Sequence, residues 1–224
     1  MKAMILAAGY GKRLRPLTET TPKPLLPVGG KPLMQHHIER LAAAGIRDLV
    51  INTSWLAEQI EDYFADGTEF GVSIDWSRES QPLETGGGIA HALPLLDDQP
   101  FLLINGDIWT DFPIQSIAAK ELPSDRDGWL LLVDNPEHNP RGDFGLIDGQ
   151  LVSEARQKYT FSGVSLLRPQ LFSRADRSNA CFPLRDILRP AIDGGRISGE
   201  IYNGQWCDVG TVERYRQIDS QLNQ

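Results

Sequence analysis

Within its first twenty-odd residues the chain sets Gly9, Gly11, Lys12, Arg13, Arg15 and Lys23 directly after an apolar run, residues 4–8. Glycines let a backbone come close to phosphates, and the N–H groups so exposed form an anion cradle. The cationic side chains crowd one loop of a chain whose net charge is −8. A polyphosphate ligand accounts for that local excess. A second group of candidates is Asn105, Gly106 and Asp107, which close the apolar run 101–105. Open parallel sheets place their ligands just past such a strand end, although an Asp after Gly also serves simply to make a turn. A third is Gly86, Gly87 and Gly88. Consecutive glycines at a helix start leave backbone N–H groups open to a ligand. Asp208, in WCDVGT, stands ahead of a helix-like segment that Asp208 or Thr211 could cap.

Spacing excludes two familiar phosphate loops. In a dinucleotide fingerprint the third glycine would fall on Leu14, and the second strand ends at Asn52 and Thr53 rather than on an acidic residue. In a P-loop Lys12 would be followed by Ser or Thr, not by Arg13. What remains is a long loop punctuated by Pro16, Pro22, Pro24 and Pro27. Prolines lower its entropy before any ligand arrives, holding Arg13 and Lys23 in place.

The elements that must position these groups alternate through the first half. Residues 31–44 carry apolar residues at helical spacing closed by Gly45, 47–53 and 72–76 read as strands, 55–65 and 86–96 as helices, and 101–105 as a buried strand. This order predicts an α/β fold, a Rossmann-like mixed and mostly parallel sheet with helices on both faces. The second half offers strands at 129–133, 144–147, 151–153 and 159–167, a hairpin turn at Asp148-Gly149, and helices at 182–192 and 211–222. No linker interrupts the chain, so residues 1–224 read as one domain, with a first half to about 110 and a substrate-facing half from about 111. His36 and His37 are neighbours on a helix, one facing the core and one wet.

Composition narrows the partners. A pI near 5.0 argues against nucleic acid and membrane surfaces, both of which want a net basic face. Two cysteines, Cys181 and Cys207, without a C-x-x-C make a disulfide framework or zinc site improbable. No apolar run is long enough to span a bilayer, and the chain opens on a strand rather than a leader, so a cytoplasmic protein is expected.

LAAGYGKRLRPLT followed by PKPLLPVGGKPL resembles the N-terminal motif of the sugar-1-phosphate nucleotidylyltransferases, LAAG-x-G-x-R-L-x-P-L-T with a later P-K-P. The resemblance implies the nucleotidyltransferase fold, catalytic roles for Arg13 and Lys23, and a nucleotide held on Ala8, Gly9, Gly11, Lys12 and Arg13. It implies Asp107 and Asp208 as ligands of Mg2+, a hard cation that takes carboxylate and substrate phosphate together. SQPLETGGG is similar to the family's base-reading segment. Among pyrimidine-using members a glutamine five residues before the first glycine contacts the base, which falls on Gln81 with Gly86. Purine-using relatives often read P-L-G-T-A-G there, and this chain has Glu84 at the first glycine. UTP is therefore the expected nucleotide.

The acceptor, a sugar 1-phosphate, is expected on Lys23, Asn105, Gly145, Glu154, Arg156 and Lys158. Phe144-Gly145 resembles the family's Tyr-Gly, and Glu154 matches the glutamate of its Glu-Lys-Pro, with Ala155 in place of the lysine. Arg141, Arg156 and Lys158 cluster nearby. A hexose 1-phosphate needs one cation, and an extra carboxylate on the acceptor favours another, ideally a bidentate arginine; exposed strand-edge charge is the plainer reading. Alternatives are a guanylyl- or thymidylyltransferase for another sugar 1-phosphate, or a non-catalytic binding module. A monomer or a homodimer is compatible with the pattern.

Overall fold

The computed structural model describes residues 1–174 and 180–223. The opening apolar run forms β1 (Ala3–Leu6), and the proline-rich loop after it winds through single 3-10 turns at Lys12–Leu14, Leu17–Glu19 and Lys23–Leu25 into a small hairpin of β2 (Pro27–Val28) and β3 (Lys31–Pro32). Then follow α1 (Leu33–Ala43), β4 (Asp48–Thr53), α2 (Ala57–Phe64), β5 (Ser73–Arg78), α3 (Glu84–Ala92) and β6 (Phe101–Asn105), the expected alternation. The second half adds β7 (Ile108–Thr110), α4 (Gln115–Ala118), β8 (Gly128–Val133), β9 (Gly145–Ile147), β10 (Gln150–Val152) and β11 (Thr160–Leu167). It closes with α5 (Arg185–Asp193), β12 (Ile197–Tyr202), β13 (Trp206–Asp208) and α6 (Val212–Leu222).

One nine-stranded sheet runs through both halves in the order β5-β4-β1-β6-β11-β8-β12-β10-β9. All its strands but β11 and β10 point the same way. The mixed, mostly parallel sheet expected from the sequence is the one observed. Strands β1, β6 and β8 are almost wholly apolar because both faces of the sheet are covered there. Ile5, Ile51, Ile104 and Leu131 pack on one face with Ile38 and Leu41 of α1 and Ile60 and Phe64 of α2. Met4, Val50, Leu103 and Leu132 pack on the other with Ile89 of α3 and Leu188 of α5. Truncating such a residue, Leu41→Ala for instance, costs about 2–5 kcal/mol through lost burial and the cavity left behind. No described helix is long and apolar enough to cross a membrane.

From β1 the chain moves outward to β4 and β5, then returns to lay β6 on the other side of β1. That reversal opens a crevice at the carboxyl ends of the strands. There Leu6 registers with Asn52 on one side and Asn105 on the other.

Several elements depart from expectation or decide what it left open. β7, β12 and β13 are strands that no apolar alternation announces, and the two short ones pair only with each other. Helix α5 starts at Arg185 rather than 182, because the Phe182 backbone is engaged elsewhere: its N–H donates to the Leu83 carbonyl. And Thr211, not Asp208, caps α6 by accepting from the Arg214 N–H. α6 does not stay with the second half. Val209 and Ile218 pack on Val28 and Leu33, and the Tyr215 hydroxyl donates to the Pro27 carbonyl at 2.9 Å. The segment that carries Asp208 is thereby returned to the opening loop.

Candidate active site

Ala8, Gly9, Gly11, Lys12, Arg13, Lys23, Asn105 and Asp107 all line one cavity of about 320 Å³ at the ends of β1 and β6. Arg15 is exposed and lies off its walls. Gly106 is what lets the turn after β6 cross the end of β1. Its N–H donates to the Leu6 carbonyl at 2.9 Å, and a Cβ there would sit 2.5 Å from that oxygen. The turn is then tied from both sides. Helix α1 reaches it through His37, whose Nε2 donates to the Ile108 carbonyl at 2.8 Å, and through Arg40, which donates to the carbonyls of Thr110 and Phe112. Burial pushes the His37 imidazole down to about 4, so it is neutral and holds the proton on Nε2. His36 stays half-exposed, as the neighbouring position on a helix requires. From the other side β13 pairs with β7, setting Asp208 opposite Ile108, and the Val209 N–H donates to the Asp107 carbonyl at 2.8 Å.

Both aspartates are paired with cations. Lys23, with 11% of its side chain exposed, places Nζ 2.9 Å from Asp107 Oδ2. Burial pushes the Asp107 carboxyl up, but the charge and hydrogen bond of Lys23, with Arg13 behind them, more than offset it and hold the group below the ordinary range. Asp208 accepts from Arg214 Nη2 at 3.2 Å and lies 3.1 Å from His138 Nε2. Arg13 Nη2 and Asp208 Oδ1 both abut Gly210, 3.0 and 2.5 Å from where its Cβ would be. Asp107, in the turn before β7, lines the cavity, and Asp208, on the strand paired with β7, lies off its lining; two carboxylates brought to the same strand pair are an all-oxygen donor set of the kind that Mg2+ takes. No cluster of three acidic, His or Cys donors occurs among the described residues, and none is needed by an ion that takes its other oxygens from water and substrate.

The base-reading segment is built differently from expectation. Gln81 is exposed and off the cavity, whereas Glu79, Pro82, Glu84 and Thr85 stand on its walls. Glu79 is 4% exposed and holds the segment to the sheet: Asn52 Nδ2 donates to its Oε1 at 2.7 Å and the Leu83 N–H to its Oε2 at 2.8 Å, while the Ala7 N–H donates to Asn52 Oδ1 at 2.7 Å. Gly86 does not offer its N–H to a ligand. Gly86 and Gly87 are buried and both donate to the Phe182 carbonyl, at 2.9 and 3.0 Å, and a Cβ on Gly87 would lie 2.1 Å from the Ala180 carbonyl oxygen. These glycines serve close packing between two chain segments.

Thr85 and Asn105 also line a second cavity of about 850 Å³. Asn105 Oδ1 is buried there without a hydrogen-bond partner. Arg141, Arg156, Lys158, Arg185 and Arg189 border this space. Among the described residues Arg141, Arg156 and Arg189 make no ion pair, and Arg185 approaches only its neighbour Asp186, at 3.9 Å. Lys158 pairs with Glu154 at 3.0 Å, and the Glu154 side chain is 91% exposed, pointing away from the cavity it was expected to serve. Gly145 packs on Ala155, with Phe144 on the cavity wall in its stead. Lys23 reaches the smaller cavity only.

The nucleotidyl transferase family model matches residues 2–224. The chain belongs to that family. The sugar-1-phosphate nucleotidylyltransferase expected from the opening motif is borne out, and the chain is an enzyme of that group. It is 48% identical, over 98% of its length and 97% of the relative's, to an N-acetylmuramate alpha-1-phosphate uridylyltransferase of Neisseria meningitidis serogroup B. It is 33% identical, over 98% and 96%, to the protein of the same name from Caulobacter vibrioides. Its fold matches a solved Bacillus anthracis protein assigned as a glucose-1-phosphate thymidylyltransferase, with a TM-score of 0.89 at 22% identity over 100% of this chain and 95% of that one.

In this nucleotidyl transferase, sequence reasoning missed Asn52, Glu79, His138, Arg185, Arg189 and Arg214. Arg185 and Arg189 had a signal, since an i, i+4 pair of arginines shares one helix face. Glu79 had none, because a lone glutamate at a strand end looks like surface until the segment folds over it.

Proposed function

We propose that the enzyme transfers a uridylyl group from UTP to N-acetylmuramate α-1-phosphate, giving the UDP-sugar and pyrophosphate, as a cytoplasmic step of peptidoglycan recycling. The observation that carries this reading is the unpaired guanidinium excess on the larger cavity: Arg141, Arg156 and Arg189 exceed what a single phosphate asks for and suit an acceptor with a second anion, the lactyl carboxylate. The relatives of that name, matched end to end, support it.

A phosphate monoester has a second pKa of about 6, so the attacking oxygen is largely ionised near neutral pH and no general base is required. The work is alignment of two anions and neutralisation of charge at the α-phosphorus. Arg13, with Lys12 beside it, receives the departing pyrophosphate. Lys23 receives the α-phosphate, giving up its contact with Asp107. Asn105, at the junction of the two cavities, fixes the acceptor. Asp107 and Asp208 would hold Mg2+, which when bound supplies Lewis acidity and a template for the phosphates.

Pyrophosphate release should be measured with UTP, dTTP, GTP, ATP and CTP against the 1-phosphates of N-acetylmuramate, N-acetylglucosamine, glucose and mannose. The reading expects UTP with N-acetylmuramate 1-phosphate to have the highest kcat/KM and activity to vanish with EDTA. Preference for a neutral acceptor or for GTP would overturn it, and no release with any pair would point to a binding module.

A further inference from the structure

Among the described residues Glu84 is the only non-glycine residue lining the smaller cavity with a positive φ, +59°. In that left-handed region a Cβ is crowded by the following carbonyl, and glycine is the residue of least cost. The backbone around it has no room to relax. The Leu83 N–H is held by Glu79 Oε2 at 2.8 Å, the Leu83 carbonyl accepts from the Phe182 N–H at 3.2 Å, and Gly86 and Gly87 are held by the Phe182 carbonyl. On stability alone position 84 belongs to glycine. It carries instead an exposed glutamate that makes no hydrogen bond or ion pair among the described residues. The other such residues have plainer settings. Asp148 opens the Asp148-Gly149 hairpin turn, and Leu56 and Ala65 lie off both cavities. Strain kept where a side chain faces a ligand cavity points to a use for that side chain.

The polarity of the cavity says what that use is. Lys12, Arg13 and Lys23 make it cationic around the opening loop, while Glu79 and Glu84 come from the segment opposite in sequence order. A carboxylate repels phosphates and accepts from N–H and O–H donors, which a nucleotide carries on its base and ribose. Both Glu79 oxygens are already engaged, by Asn52 and by Leu83. Of the two glutamates on the wall, Glu84 is the one whose carboxylate is open.

We propose that Glu84 is a specificity-determining residue for the nucleotide, its carboxylate accepting a hydrogen bond from an N–H or O–H of the nucleoside, with the left-handed backbone retained to aim it. The proposal rests on the cavity being the nucleotide site and deepens that reading. The test compares wild type, Glu84→Gly and Glu84→Gln in melting temperature, in KM and kcat, and in direct binding of a non-hydrolysable UTP analogue, with 2′-deoxy-UTP and N3-methyl-UTP as the substrates lacking one donor each. Glu84→Gly is expected to melt about 2 °C higher, because strain is relieved, yet to raise KM for UTP about tenfold with kcat nearly unchanged. Glu84→Gln keeps an acceptor oxygen and should fall between. Wild type should discriminate against the analogue lacking the bonded donor, 2′-hydroxyl or imide N–H, and Glu84→Gly should lose that discrimination. Unchanged KM and unchanged discrimination in a more stable Glu84→Gly would overturn the proposal. If wild type prefers another nucleotide, the UTP reading fails, and Glu84 is then judged by the KM for that nucleotide.

Discussion

The two cavities of this enzyme are built on opposite plans. At the smaller one Lys23 is paired with Asp107, Asp208 beside it is paired with Arg214 and His138, and the turn after β6 is tied to α1 and β13, while Lys12, Arg13 and Glu84 make no ion pair among the described residues. In the larger one exposed Arg141, Arg156 and Arg189 border the space without carboxylate partners among the described residues. Under the proposed function the difference separates two tasks. Charge neutralisation at a reacting phosphorus rewards groups held in place before substrate arrives, whereas selecting an acceptor needs only favourable contacts that one substrate makes and another lacks.

If that contrast is right, disturbing the small cavity should cost most. Arg13→Ala or Lys23→Ala is expected to lower kcat by about a hundredfold or more, read from single-turnover pyrophosphate release; near-wild-type turnover would erase the distinction between the cavities. The pinning itself should show in stability against pH. Burial depresses the folded His37 to about 4 from 6.5, with Arg40 and His36 pushing the same way and Asp107 opposing. The unfolded chain therefore binds this proton first as pH falls. Stability contributed by neutral His37 is fully present above about 6.5 and is lost on acidification toward about 4, up to about 3 kcal/mol. Urea titrations from pH 7.5 to 4.5 should show that slope, and a His37→Gln variant should flatten it.

The large cavity should respond more weakly and selectively. Arg156→Ala and Arg189→Ala are expected to raise KM about tenfold for N-acetylmuramate 1-phosphate and to leave N-acetylglucosamine 1-phosphate, which has no carboxylate, nearly unaffected. An equal loss for both acceptors would mean that these arginines bind phosphate only. Glu154→Ala should change kcat/KM by no more than about twofold, because its ion pair with Lys158 is exposed and such pairs contribute little; a larger loss would draw Glu154 into the acceptor site.

How far the sequence could be read follows the same division. The loop of Gly9, Gly11, Arg13 and Lys23 is contiguous, so its motif and its glycine and proline chemistry were visible in one line of residues. So were the βαβαβ order and Asp107, placed by a buried strand end. Gln81 was misleading because spacing along a chain does not say which way a loop faces; folding Glu79 under Asn52 and Leu83 turned Gln81 outward. Gly86 misled for a related reason, as a glycine kept for close packing and one kept for a ligand are alike in sequence.

The sequence by itself determined the fold class and a glycine-containing cationic loop past a buried strand, since each depends on local pattern: strand hydrophobicity, glycine freedom, charge in a short span. Only the tertiary structure decided what those parts face. It brought α6 back onto the β2–β3 hairpin and paired β13 with β7, so that Val209, next to Asp208, bonds the Asp107 carbonyl, and it set α5 beside the loop of Arg141 to make one basic cavity. It also held Glu84 left-handed between contacts to Glu79 and Phe182. Each is a contact between segments far apart in the chain, fixed by burial and hydrogen bonding across the sheet rather than by any property of the segment alone.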